Sequence, residues 1–178
     1  MNARGCLTQA TVRLEQPTDI ASVREVHRTA FPSDAEAVLV DCLRKNGKAV
    51  VSLVAEVRGQ VVGHIVFSPV SIEEAPGITN GLGLAPVAIL PAFQRRGVGS
   101  RLVQEGLAVS LRALYGFVVV LGEPSFYQRF GFRQASASGL RNEYGAEEAF
   151  MVLELQAGAL PENGGLVKYS SEFASVAV

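Results

Sequence analysis

The feature that most restricts this chain is a short apolar run, Val87-Ala88-Ile89-Leu90, followed almost at once by Gln94-Arg95-Arg96-Gly97-Val98-Gly99 and then an amphipathic pattern lasting to Leu114. The order reads as a strand, a glycine-bearing turn and the first turn of a helix. A helix N-terminus leaves about four backbone N–H groups without intrahelical partners, and the macrodipole places roughly half a positive charge there. Glycines at 97 and 99 keep side chains away from those donors, and Arg95 and Arg96 supply two guanidinium forks. The segment is a cradle for a pyrophosphate, so the chain is expected to hold a phosphate-bearing cofactor.

Two common phosphate loops fail on residue type. A P-loop ends in Gly-Lys-Ser/Thr, with the lysine on the terminal phosphates; here Ser100 and Arg101 follow Gly99, which discounts a nucleoside-triphosphate enzyme. A dinucleotide fingerprint needs a third small residue three places after the second glycine, where this chain has Leu102. The pair Gly81 and Gly83 runs into Pro86 inside an apparent strand and forms no such turn.

The spacing that fits is Gln/Arg-x-x-Gly-x-Gly/Ala. With it stand Leu82–Pro91, Val118-Val119-Val120-Leu121-Gly122-Glu123-Pro124, Phe126-Tyr127-Gln128-Arg129-Phe130-Gly131-Phe132, Gly63–Val70 and Met151–Leu155. In these blocks the chain resembles the GNAT superfamily of acyl-CoA-dependent N-acyltransferases. Within it, the likeness is to a bacterial subgroup of small, mostly uncharacterised N-acetyltransferases. The resemblance runs from about residue 10 to 175. It implies an α/β (α+β) fold with a mixed, mostly antiparallel central sheet, helices on both faces, and splayed strands at 82–90 and 117–121 that admit the cofactor's pantetheine arm.

Length and composition agree with one domain over residues 1–178, with 1–9 read as flexible and 160–178 as a C-terminal extension. A chain of 178 residues, 48% hydrophobic and 19% charged, buries about two-thirds of its unfolded surface. Sixteen basic against seventeen acidic residues give a net charge of −1, without the basic surplus of a nucleic-acid binder. No apolar run approaches the ~20 residues of a membrane helix, and Met1–Cys6 lacks the apolar core of a signal peptide. Cys6, Cys42, His27 and His64 form no metal or disulfide pattern. A cytoplasmic enzyme is expected, with no metal, no nucleic-acid partner and no membrane partner; exposed edge strands are compatible with a homodimer.

Hydrophobic spacing gives the elements. Residues 11–15 alternate as a strand. Pro17-Thr18-Asp19 caps a helix through Ile20, Val23, Val26, His27 and Ala30, and Ser33-Asp34 caps a second through Ala37, Val38, Val40, Asp41 and Leu43. Val51–Val57 and Val61–Val70 form a hairpin about Arg58-Gly59, and 73–80 form a loop. The helix after the cradle is expected to bury Val98, Leu102, Val103, Leu107, Leu111 and Leu114. Phe117–Leu121 is a buried strand, Ser125–Arg129 a helical turn and Ala149–Leu155 a final strand. Val167 and Tyr169 fit an edge strand.

The resemblance carries roles with it. Acetyl-CoA would be the cosubstrate, an unidentified amine the acceptor, and direct attack in a ternary complex the route. Val87, Ala88 and Ile89 would bind the pantetheine arm as an added strand, and Gln94, Arg95, Arg96, Gly97, Val98, Gly99 and Ser100 the pyrophosphate. Pro86, unable to donate to a ladder, marks either a bulge that frees an N–H for the acetyl carbonyl or simply the start of the strand. Tyr127 matches the general acid that protonates the leaving thiolate. Phe126 lines the arm's channel or the core, and Arg129 through Phe132 are structural. The general base is open, since 82–90 contains no ionisable side chain. Glu123 is the nearest acidic candidate, against a role capping the turn at Pro124. His64 reads as a half-buried histidine with a partner, and His27 and Glu36 as solvated helix positions or part of the acceptor mouth. A non-catalytic acyl-CoA sensor is the competing function.

Overall fold

The computed structural model describes residues 10–73 and 79–175; the expectations for 1–9, for Cys6 and for most of the 73–80 loop fall outside that range. Strand β1 (Thr11–Leu14) is followed by helices α1 (Ile20–Ala30) and α2 (Ala35–Lys45), then by the hairpin β2 (Val51–Val57) and β3 (Gln60–Glu73). Next come β4 (Gly81–Ile89), α3 (Val98–Arg112), β5 (Phe117–Leu121) and the single turn α4 (Pro124–Tyr127). Short strands β6 (Arg133–Gln134) and β7 (Leu140–Asn142) precede β8 (Phe150–Glu154) and β9 (Gly165–Lys168). The sheet runs β1-β2-β3-β4-β5-β8-β6, antiparallel except at β4–β5.

Alternation along β3 sorts the two faces. Ile65 and Phe67 lie in the cluster with Leu102, Val103 and Leu107 of α3, while Val66 between them lies in the cluster with Val23, Val26, Val40 and Leu43 of α1 and α2. Successive strand residues point to opposite sides, so α3 covers one face and α1 with α2 the other. Segment 165–168 is not an edge: β9 pairs with the end of β3 on one side and, in parallel, with β7 on the other.

Local chemistry departs from expectation in three places. Neither Asp19 nor Asp34 caps its helix through its side chain. Asp19 instead takes both guanidinium nitrogens of Arg13, at 2.7 and 3.0 Å, and Asp34 takes Arg28 Nε at 3.0 Å. A charge-assisted bond is about twice as strong as one to a neutral amide, so the arginines win the carboxylates. On α3, Leu111 and Leu114 are exposed; the helix ends at Arg112, Leu114 has φ +66°, and Ser110 fills the buried position with its hydroxyl donating to the Gly106 carbonyl at 2.8 Å. On α2, Leu39 is buried and Val38 exposed.

Candidate active site

The site begins where two strands part. β4 pairs with β5 only at Gly81, Leu82 and Gly83, whereas its other edge follows β3 to Ile89. The β3–β4 register slips between Ile65 and Phe67, so that Ala85 and Pro86 together oppose Val66. That is the bulge, and Pro86 is inside the strand rather than at its start. Beyond it, Leu90 N–H donates to the Val62 carbonyl at 2.9 Å. Backbone groups alternate sides along a strand, so Ile89 and Val87 turn their N–H and C=O groups away from β3, into the gap. Gln94 Nε2 donates to the Ile89 carbonyl from that side, at 3.0 Å. An extended, amide-bearing ligand can pair with such an edge.

The cradle stands at the end of the same strand. The first intrahelical bond of α3 runs from Arg101 N–H to the Gly97 carbonyl at 3.1 Å, and no side chain caps the helix. The N–H groups of Val98, Gly99 and Ser100 therefore precede the ladder. Gly97 has φ +81° and Arg95, without glycine's freedom, has φ +57°; left-handed backbone at a non-glycine residue costs energy and concentrates at ligand-gripping loops. A Cβ on Gly99 would stand 3.8 Å from Ile89 and 4.0 Å from Phe126, so this glycine keeps space open between strand and aromatic.

Val87, Ala88, Ile89, Gln94, Arg95, Gly97, Gly99, Ser100 and Phe126 line one cleft of about 570 Å³, together with Ala30 and Phe31 at the end of α1 and with Arg129. Arg129 was expected to be structural; its guanidinium lies 4.5 Å above the Phe126 ring and 3.5 Å from Ser100 Oγ, which puts a second cation beside Arg95. Four expected contributors do not line the cleft. Val98 buries its side chain in the core. Arg96 is exposed, 5.9 Å over the Phe93 ring. Glu123 accepts from Ser125 N–H and Oγ, the latter at 3.0 Å, which caps α4.

Tyr127 is the fourth. It is 6% exposed, packed edge-on against Phe126 and Phe132 behind the cleft wall. Among the described residues its hydroxyl has no hydrogen-bond partner, and burial pushes its pKa up to about 12. The ring is core and the hydroxyl is free to donate.

His64 has the hydrogen-bond partners expected of it but is buried more deeply than the sequence indicates, and His27 departs further from expectation. His27 and His64 are both fully buried, and His27 Nε2 meets His64 Nδ1 at 2.8 Å. The far nitrogen of His64 meets Ser52 Oγ at 2.8 Å, and Ser52 donates to Glu15. His27 is therefore no solvated position: α1 turns it inward over β3. Glu36 is half-buried, with one carboxylate oxygen buried and unpartnered. Tandem burial of two titratable rings leaves no trace in hydrophobic spacing, because a histidine at a core position of a helix looks like one at its boundary.

The acetyltransferase (GNAT) domain family model matches residues 48–134, the span from β2 to β6 that holds strand edge, cradle and Tyr127. An uncharacterised N-acetyltransferase of Escherichia coli K12, YhbS, is 39% identical over 164 residues, which is 91% of this chain and 97% of that protein. The crystal structure of Escherichia coli YhbS in complex with CoA superposes with a TM-score of 0.88 at 38% identity, covering 94% of this chain and 93% of the other. A GNAT acetyltransferase of Brucella melitensis in complex with acetyl-CoA gives 0.76 at 35% identity, covering 93% and 99%.

Proposed function

This chain belongs to the GNAT family of N-acetyltransferases, and from that premise we propose that it moves the acetyl group of acetyl-CoA to a primary amine by direct attack in a ternary complex. The observation that carries the reading is the conjunction of a β4 edge that no strand pairs at Val87–Ile89 with an uncapped α3 N-terminus in a single cleft. A CoA thioester has both matching parts, an amide-bearing arm and a pyrophosphate. The edge takes the arm as an added strand, and the N–H groups of Val98, Gly99 and Ser100 with Arg95 and Arg129 take the phosphates. The related proteins that hold CoA and acetyl-CoA support this assignment.

The arm laid along β4 brings its thioester toward the bulge at Ala85-Pro86. The outward N–H of Val87 is the donor placed to polarise the acetyl carbonyl, a contact that strengthens as the oxygen becomes an oxyanion. Amine attack then expels a thiolate, whose conjugate acid has a pKa near ~8.5 in water. Tyr127, one residue behind Phe126, donates its proton to that sulfur. The whole chain acts as one acyltransferase unit, in the cytoplasm; among the described residues no helix is long and apolar enough to cross a membrane.

Release of CoA from acetyl-CoA across amines, amino acids, aminoglycosides and short peptides tests the proposal. Turnover with one class is expected and names the acceptor. Tight acetyl-CoA binding with a flat panel, including protein lysines and N-termini, is the behaviour of an acyl-CoA sensor and overturns it.

A further inference from the structure

The two sides of the cleft hang from strands that have parted. β4 leads into α3 and β5 into α4, and these strands pair only over Gly81–Gly83 against Phe117–Val119. Beyond that point no sheet hydrogen bonds tie the α3 side to the α4 side. α4 is a single turn of four residues, too short to be held by its own helical bonds. Side chains fix it instead. Glu123 caps it through Ser125, and its Phe126 and Tyr127 rings meet edge-on with centroids 5.0 Å apart.

Arg129 reaches across this gap. It lies in the 3-10 turn Gln128–Phe130 that follows α4 directly. Its Nε donates to the Phe126 carbonyl at 3.2 Å, and its guanidinium carbon stands 4.5 Å from the centre of the Phe126 ring and 5.6 Å from that of Phe130. A cation over an aromatic face is attracted to it, so guanidinium, Phe126 ring and Tyr127 ring form one packed series. On the other side of the gap, Arg129 Nη2 comes within 3.5 Å of Ser100 Oγ in the first turn of α3. That distance is beyond the usual range of an N–H···O bond, so the link is present but loose. Arg129 is exposed and lines the cleft. An anion seated on the N–H groups of Val98, Gly99 and Ser100 is therefore met by a guanidinium that already touches Ser100.

We propose that Arg129 is a positioning residue that couples phosphate binding to the placement of Tyr127. The inference rests on the acetyl-transfer reading. A phosphate of the CoA thioester, shared between the α3 N–H groups and the Arg129 fork, replaces the loose Ser100 contact with charge-assisted bonds and ties the α4 turn to α3. Through Phe126 that tie steadies the Tyr127 ring, and with it the hydroxyl that protonates the leaving sulfur. Misplacing a catalytic group by about 1 Å can slow a reaction roughly a hundredfold, so a steadier ring acts on the chemical step. Binding energy from a part of the substrate remote from the reacting bond then appears in kcat rather than in KM alone. The donor so selected is a thioester that carries phosphates, over one that ends at pantetheine. Lysine at this position would keep the charge but lose the flat fork, its stacking on Phe126 and the Nε bond.

The test compares acetyl-CoA with S-acetylpantetheine, the same thioester without phosphates, in wild type, Arg129→Lys and Arg129→Met. In wild type, kcat is expected to be roughly tenfold or more higher with acetyl-CoA. Both variants should shrink that kcat ratio by roughly fivefold or more, while Arg129→Lys binds CoA in calorimetry within about threefold of wild type. Equal kcat values for the two donors in wild type refute the coupling. So does a ratio that Arg129→Lys preserves, since charge alone then suffices, and so do losses confined to KM. Amide hydrogen exchange needs no acceptor. The N–H groups of Phe126 and Tyr127 donate to the Glu123 carbonyl at 3.0 and 3.2 Å. Saturating CoA should slow their exchange in wild type by roughly fivefold or more, pantetheine should not, and Arg129→Lys should lose the effect. Exchange in α4 that CoA leaves unchanged in wild type overturns the proposal. A protein that binds CoA yet acetylates no amine sinks the acetyl-transfer reading instead, a result on which the exchange rates do not depend.

Discussion

At the scale of single residues, the same side chain can serve the core with one part and chemistry with another. Tyr127 packs its ring among Phe126, Phe132 and the α-carbon of Gly122, where a Cβ would come within 2.4 Å of the ring. Its hydroxyl makes no bond that the fold needs. Tyr127→Phe should therefore leave stability within ~0.5 kcal/mol while slowing acetyl transfer by roughly a hundred- to ten-thousand-fold, with acetyl-CoA still bound in calorimetry. A rate within a factor of ten of wild type would remove Tyr127 from the mechanism. Gly99 makes the complementary case. A methyl there meets Ile89 and Phe126 only at ordinary contact distance, so Gly99→Ala should fold normally and lose roughly tenfold in acetyl-CoA affinity, ~1.4 kcal/mol, by crowding the cradle. The motifs that single out Gly99 and Tyr127 are local in the sequence, six consecutive residues for the cradle and the Phe126–Phe132 block for the tyrosine. The contacts of Arg129 and His27 are not readable that way, because each is made to an element far away in the chain, Ser100 for one and β3 for the other.

At the scale of elements, propensity and packing can point in opposite directions, and magnitudes decide. Gly106 sits in the middle of α3, where replacement by alanine would gain up to ~1 kcal/mol of helix propensity. A Cβ there would lie 2.4 Å from the Phe67 ring, and Phe67 is fully buried at the centre of β3. Overpacking of that kind costs typically ~1–3 kcal/mol, so Gly106→Ala should destabilise on balance, seen as a lower urea midpoint with an unchanged slope. A higher midpoint would mean that α3 can lift from the sheet. The longer elements were readable from periodicity, and the parting of β4 from β5 followed from the resemblance. Strands β6 and β7 were not readable, since two or three residues cannot show alternation, nor was the pairing of β9 inside the sheet, which depends on β3 running past β4 to Glu73. The failed caps at Asp19 and Asp34 have one cause: a cap signal names a carboxylate, but arginines from other segments compete for it.

At the scale of the whole molecule, the buried line from Glu15 to His27 ties stability to pH. His27 is held neutral by burial, reinforced by His64 and Arg44 and opposed by Glu15, with its pKa pushed down to about 3; that of His64 is lowered as well, chiefly by burial. The unfolded chain regains ordinary histidines titrating near ~6.5. Between the two values the unfolded state binds a proton that the folded state refuses. Stability is then complete above pH ~6.5 and falls with acidification, by up to ~1.4 kcal/mol per pH unit for each histidine kept neutral. The carboxylates act in the same direction but later: the pKa of Glu15, lowered from 4.5 to about 2, brings loss only as pH drops through that lower range. Urea unfolding at pH 7.5, 6.0, 5.5 and 5.0 should thus show a plateau and then a decline that begins well above the range in which Glu15 contributes. His27→Gln removes one of the two groups, so its decline should be shallower than wild type by about 1.4 kcal/mol per unit. Identical slopes for the two proteins would show that His27 takes up its proton in the folded state as readily as in the unfolded one, which a ring sealed between α1 and β3 beside a second imidazole cannot do without opening that face of the sheet.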